Sequence, residues 1–224
     1  MTGSDANDEP LRRSTHVEHS VAYAAVGASS AADLMRFPPE GSTPYEHEQR
    51  IGSGSDRFLI ASSTLMTWGA QRGAGVEIDD IERGEGGEYA GVVFDEHGTP
   101  QPAAEGDVEY GPDGEPYLNA GTSVTLRWSD GREPRRMRVV YTIGEPRRVG
   151  YAWGAADEQG AVGEEVLVVE HRDDDTVWAI ARGFVWPAKA GLLGLKGKAA
   201  VRAAVKDARA LLDALAPGGL NGSD

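Results

Sequence analysis

The chain has no cysteine. Disulfide frameworks, thiolate zinc sites and cysteine nucleophiles are excluded at once, and nothing argues for an oxidising compartment. Lysine is scarce too: Arg outnumbers Lys 18 to 4, read here as compositional bias rather than an arginine-specific recognition surface. Against 36 acidic residues the formal net charge is −14, which excludes counterion-release binding to nucleic acid. No long apolar run occurs. The nearest, Trp178 to Leu195, contains Arg182, Pro187 and Lys189, so no membrane span is expected. The first ten residues carry Asp5, Asp8 and Glu9 and lack the cationic start and apolar core of a signal peptide, so the expected location is cytoplasmic.

Several catalytic signatures are missing as well. No G-x-G-x-x-G follows a buried strand, no G-x-S-x-G elbow is present, and H-E-x-x-H is absent. Gly52-Ser53-Gly54-Ser55 lacks the Lys of a phosphate loop and reads as a turn with an N-cap. The five histidines (His16, His19, His47, His97 and His171) are dispersed, and Glu46-His47-Glu48 reads as a polar loop. Neither a metal nor a cofactor is expected.

What is present is ordinary globular material, 224 residues with 40% apolar and 26% charged. The reading divides it into a disordered tail over 1–15, one α+β domain over 16–216 and a second tail over 217–224. Between Glu77 and Glu115 lie 13 acids and one base, Arg83, among glycines and prolines. Positions 84–119 are read as a long excursion between strands. Arg182 to Asp213 has the opposite sign, seven bases to two acids. Such a polar molecule suits a protein partner or a weak homodimer as an alternative to a plain monomer.

Periodicity supplies the elements. His19 to Ala28 reads as a strand and Ser30 to Phe37 as a short helix stopped by Pro38-Pro39. A helix is predicted over 56–71, with Phe58, Ala61, Leu65 and Trp68 on one face. Strands are predicted over 75–81 and 122–128, then hairpins over 138–154 and 165–184. A final helix, 198–216, buries Val201, Val205, Ala208, Leu212 and Leu215. Short links between strands imply an antiparallel sheet, and its apolar face needs the helix as a cover. The fold class is α+β, a curved, mainly antiparallel sheet gripping a long C-terminal helix, with room for an apolar cavity between them.

The pieces YAAVGAS (23–29), PEG to RIGSG (39–54), FLIASSTLMTW (58–68), RVVYTIGEPRRVGYAWG (138–154), GEE (163–165) and VWAIARGFVWPA (177–188), with the final helix, occur in one order. In that series the chain resembles the uncharacterised DUF1990 (UPF0548) family, itself similar in fold to the START-like lipid-binding superfamily. Two departures stand out. Where the resemblance implies Thr-Leu-Pro-x-His, this chain has Ala155-Ala156-Asp157-Glu158-Gln159, and where it implies Ser-Arg-Pro it has Val185-Trp186-Pro187.

Candidate site residues come from the adjoining strands. Glu164 and Glu165 are neighbours on a strand, so one is expected to enter the cavity while the other faces water. Tyr141, Tyr151, Trp153 and Arg182 are candidate partners for the buried one. The best catalytic constellation is Glu164 or Glu165 as acid or base with Tyr141 as the orienting donor. Trp68, Tyr141, Tyr151, Trp153, Trp178, Arg182, Phe184 and Trp186 are the expected ligand-binding residues, with Tyr151 and Trp153 expected on opposite sides of their strand. The leading expectation is a module that binds a small hydrophobic molecule rather than an enzyme. The alternatives are a cyclase, isomerase or hydrolase of hydrophobic substrates, or an interaction protein.

Overall fold

The structure, a computed structural model, describes residues 21–84, 93–94, 100–101, 109–188 and 195–218. The predicted tail at 1–15 with its neighbours His16 and His19, positions 219–224 and most of the predicted excursion lie outside the described residues.

The strands are β1 (Thr43–Ser53), β2 (Val76–Glu82), β3 (Val93–Phe94), β4 (Pro100–Gln101), β5 (Ser123–Trp128), β6 (Arg135–Glu145), β7 (Arg148–Ala155), β8 (Ala161–His171) and β9 (Thr176–Pro187). The helices are α1 (Ser55–Met66), α2 (Gly69–Gly73) and α3 (Leu195–Leu215). Seven strands form one sheet in the order β1-β9-β8-β7-β6-β5-β2, with every described pair antiparallel; β3 and β4 form a separate ribbon. After β1 the chain passes through α1 and α2 to the far edge and returns as a meander, so that β9 pairs with β1. The concave face of this curved sheet packs on α1, α2 and α3. This is the predicted helix-grip arrangement.

Alternation assigns the two faces. Tyr151, Trp153, Leu167, Val169, Val177, Ala179, Ala181 and Val185 join Phe58, Leu65, Leu211, Leu212 and Leu215 in the main core. Val140, Ala152, Val166 and Val168 form a smaller cluster on the other face, covered by Val21 and Val26. Arg57 of α1 fixes the end of α3: its guanidinium donates to the carbonyl of Leu215, one of the acceptors a helix leaves unpaired at its C-terminus.

Four elements differ from the sequence reading. Thr43–Ser53 is a strand, so Glu46-His47-Glu48 is no loop and the residues before Gly54 are not a turn. β1 is an edge strand whose outward residues are polar, and Tyr45 and Ile51 are its only fully buried apolar side chains. The predicted helix over 56–71 breaks at Trp68, which takes a left-handed conformation, φ 62°. That geometry costs about 1–3 kcal/mol; it swings the indole into the core, 5.9 Å from the Tyr151 ring and 6.0 Å from that of Trp153. Residues 21–28 are not a strand, because the amides of Gly27 and Ser29 bond to a side chain of β8 instead of a neighbouring strand. Ala31 to Phe37 is a series of turns rather than a helix, and Leu34 is its only buried residue. Among the described part of the excursion, Leu118 is buried and donates its amide to the carbonyl of Met66.

Leu212 is 1% exposed in the main core. Leu212→Ala is expected to lower unfolding free energy by about 2–5 kcal/mol in urea denaturation. Lys206→Ala, on the wet side of the same helix, is expected to change it by no more than about 0.5 kcal/mol.

Candidate functional site

A cavity of about 360 Å³ lies between the concave face of the sheet and α3. Its sheet side is Val76, Leu126, Met137, Trp153, Ala155, Gly163 and Val185, and its helix side is Ala200, Ala203, Ala204 and Ala208. Those alanines are the physical cause of the space. One turn further on, Leu212 and Leu215 fill the same gap and close the core, with Leu211 at the edge of the cavity. Arg132, Glu133, Arg135, Gln159 and Asp207 supply the charged and polar part of the lining.

One carboxyl is built into the cavity wall. Glu165 sits on β8 between Trp153 of β7 and Gly183 of β9. It accepts from the Tyr45 hydroxyl at 2.7 Å and from Trp153 Nε1 at 3.0 Å. Gly183 makes the first bond possible, because a Cβ there would stand 2.9 Å from the Tyr45 oxygen and 2.4 Å from the Glu164 carbonyl. Burial pushes the Glu165 carboxyl up to about 7, its two donors pull it back, and the charge of Asp207 adds to the rise. Burial and the neighbouring Glu165 raise Tyr45 well above the ordinary tyrosine value, so it remains a donor. Beside them Gln71 Nε2 donates to the Tyr151 hydroxyl at 2.6 Å, while Gln71 Oε1 is buried with no partner among the described residues. Asp207 pairs with Arg132 at 2.6 Å, and that guanidinium lies 4.5 Å over the Trp128 ring.

The second carboxyl is not in water. Glu164 is 1% exposed, on the opposite face of β8. It accepts from the Tyr23 hydroxyl at 2.8 Å, the Gly27 amide at 2.8 Å and the Ser29 amide at 2.9 Å. The segment before β1 therefore folds over this carboxyl as a strap, a use of Glu164 that strand alternation alone does not disclose. Tyr23 reaches it across Gly154, where any Cβ would fall 2.0 Å from the tyrosine oxygen. Ser29 Oγ and Tyr141 Oη lie 2.9 Å apart, and Arg182 donates to the Ser29 carbonyl at 3.0 Å.

The predicted site residues thus separate into two groups. Trp153 lines the cavity; Tyr151 and Trp68 pack directly behind it. Tyr151 and Trp153 share a face, with rings 5.9 Å apart, as residues two apart on a strand must; the expectation of opposite faces is corrected. Tyr141 stands with Glu164, not Glu165. A bulge between Val139 and Tyr141 leaves Val140 without a register partner and moves Tyr141 to the face of Ala152. Phe184 packs edge-on to Tyr23 and to Trp186 on the strap side, and Trp186 Nε1 donates to the Glu40 carbonyl. Trp178 lies under the Arg172 guanidinium and donates to Thr176 Oγ1. The sequence reading missed Tyr45, Gln71, Arg132 and Asp207. Tyr45 is hidden beside the supposed loop, whereas Asp207 is legible as one of two acids on the mainly basic final helix. Among the described residues no three His, Asp or Glu side chains converge as a metal site, and no helix is long and apolar enough to cross a membrane.

The family model described as "Domain of unknown function (DUF1990)" matches residues 22–101 and 106–208. No curated protein matches the chain. Among solved structures, a hypothetical protein from Helicobacter pylori is 12% identical, with 83% of this chain and 91% of that one covered and a TM-score of 0.46. Ara h 8.0201 is 13% identical, with 78% and 98% covered and a TM-score of 0.41. Truncated norcoclaurine synthase from Thalictrum flavum is 9% identical, with 73% and 93% covered and a TM-score of 0.35.

Two measurements follow from the paired carboxyls. Glu165 keeps its proton in the fold at pH values where the unfolded chain has lost it, so raising pH from about 4.5 to about 7 favours unfolding. Across that window the wild type is expected to lose roughly 3 kcal/mol relative to Glu165→Gln, read from denaturation curves at each pH. Equal pH slopes in the two proteins would remove the raised carboxyl. Tyr23→Phe takes one donor from the buried Glu164 and is expected to cost about 1–3 kcal/mol at neutral pH. The same change is expected to expose the strap to limited proteolysis before the sheet unfolds.

Proposed function

The chain belongs to the DUF1990 family, and from that premise we propose that it is a binding protein for a small, largely hydrophobic molecule held between the sheet and α3. The observation that carries this reading is the cavity of about 360 Å³, walled by apolar sheet residues and by alanines where a helix could have presented leucines. Its size falls at the lower end of the range for ligand pockets, about 300–1,000 Å³. An apolar wall with a few polar groups drawn together at one place is the usual make-up of such a pocket. A cytoplasmic location and a monomer or weak homodimer belong to the same proposal and rest on the sequence.

A second reading is favoured by one observation. A carboxyl with its pKa near 7, 2.7 Å from a tyrosine hydroxyl, is suited to general acid–base chemistry on a hydrophobic substrate. In that reading Glu165 exchanges the proton and Tyr45 orients it; isomerisation, cyclisation and hydrolysis are the reaction types it serves. The two readings share the cavity and differ in turnover.

The neutral apolar dye N-phenyl-1-naphthylamine tests the shared premise. Its fluorescence is expected to rise and shift to the blue with the wild type. Ala204→Trp, which places an indole in the cavity wall, is expected to weaken that binding by at least about tenfold. Equal binding by both proteins would place the dye on the surface and count against the cavity as the ligand site.

A further inference from the structure

We propose that the cavity selects a primary amine: an amphiphile whose apolar body lies against Met137, Val185 and the alanines of α3 and whose ammonium group donates to Glu165. The inference rests on the binding reading above and adds the chemistry of the head group.

It follows from a tally of donors and acceptors around the polar end of the cavity. The donors that reach the cavity at that end, Tyr45 and Trp153, are both used, and Gln71 and Tyr151, bonded to each other, are 0% exposed behind its wall. The Tyr45 hydroxyl is directed at Glu165 Oε2, Trp153 Nε1 at Glu165 Oε1, and Gln71 Nε2 at the Tyr151 hydroxyl. What remains open to the cavity is acceptor capacity, namely the second lone pair on each Glu165 oxygen. A ligand carboxylate or phosphate would set its charge against Glu165 and Asp207, and a ketone would find only the one proton that burial leaves on Glu165. An alcohol brings one donor. An ammonium group brings three and a positive charge.

Charge points the same way. The groups that face Glu165 are Tyr45 from β1, Trp153 and Tyr151 from β7, Gln71 from α2 and Asp207 from α3, with Arg132, Glu133 and Arg135 further along the lining. Both arginines are already occupied. Arg132 pairs with Asp207 and Asp130 at 2.6 and 2.8 Å. Arg135 pairs with Asp157 at 3.2 Å and donates to the Ala161 carbonyl at 2.5 Å. Glu165 is a buried carboxyl with no cation beside it among the described residues, the arrangement in which a ligand's positive charge gains most. A bound ammonium group drives off the proton that burial otherwise retains, and that proton goes to the buffer.

Isothermal titration calorimetry with octylamine, octanol and octanoate tests this, since the three share an alkyl chain and differ at the head. The wild type is expected to bind octylamine at least about tenfold more tightly than octanol, with octanoate the weakest. Glu165→Gln is expected to bring octylamine to within about threefold of octanol. At about pH 6, octylamine is expected to release up to about one proton, seen as a binding enthalpy that changes with the buffer's ionisation enthalpy. Octanol, and either ligand on Glu165→Gln, is expected to release none. Octanol or octanoate binding as tightly as octylamine would overturn the amine assignment while leaving the cavity a ligand site. So would an octylamine preference that survives Glu165→Gln. Failure of all three ligands to bind would overturn the binding reading itself and the amine assignment with it.

Discussion

Residues 164 and 165 are both glutamates, and a strand sends neighbours to opposite faces, so the protein buries one carboxyl on each side of its sheet. Each burial needs hydrogen-bond donors, and the structure supplies them by different means. On the strap side a tyrosine and two backbone amides converge on Glu164, and a segment of turns with one short 3-10 helix, Ala28–Ser30, is thereby held against β7 and β8. On the helix side Tyr45 and Trp153 converge on Glu165, but α3 stands off and leaves a space. In both places a tyrosine reaches its glutamate across a glycine, Tyr23 over Gly154 and Tyr45 over Gly183.

The two carboxyls have the same chemistry and opposite consequences. Three donors, two of them rigid amides, suit a carboxylate that holds a chain segment in place. Two donors and an adjoining space leave the other with acceptor capacity to spare and a proton affinity raised by burial. A chain selected only for stability fills such a space, because each missing methylene lowers stability and a half-satisfied buried carboxyl lowers it further. α3 does fill it at Leu212 and Leu215 and leaves it open at its alanines. Departure from good packing at one place, beside an unpaired acid, is what a ligand site looks like in physical terms.

The architecture was largely legible in the sequence. The hairpins over 138–154 and 165–184 stand out because β7 and β8 are buried on both faces and β9 alternates, and the α3 stripe has a clean helical period. What was not legible has local causes. β1 hides its strand character because an edge strand carries polar side chains outward and contributes few apolar ones. The break at Trp68 follows from where its indole is needed in the core, a tertiary demand that overrides helical periodicity. The bulge at Val140 sends Tyr141 away from Glu165, and a one-residue register change leaves no composition signal. Placing Tyr151 and Trp153 on opposite faces misapplied a period that the sequence did contain. The adjacent glutamates were singled out from the sequence, and that one acid enters the cavity is what alternation requires; the strap that buries the other came only from the three-dimensional structure.

Everything above depends on Glu165 being buried in the cavity wall rather than exposed at an open strand end. A ¹³C NMR titration of its side-chain carboxyl in the ligand-free protein measures this directly, with Glu165→Gln identifying the resonance. The account expects a midpoint near 7. A midpoint near the ordinary glutamate value of about 4.3 would show the carboxyl in contact with water and contradict it.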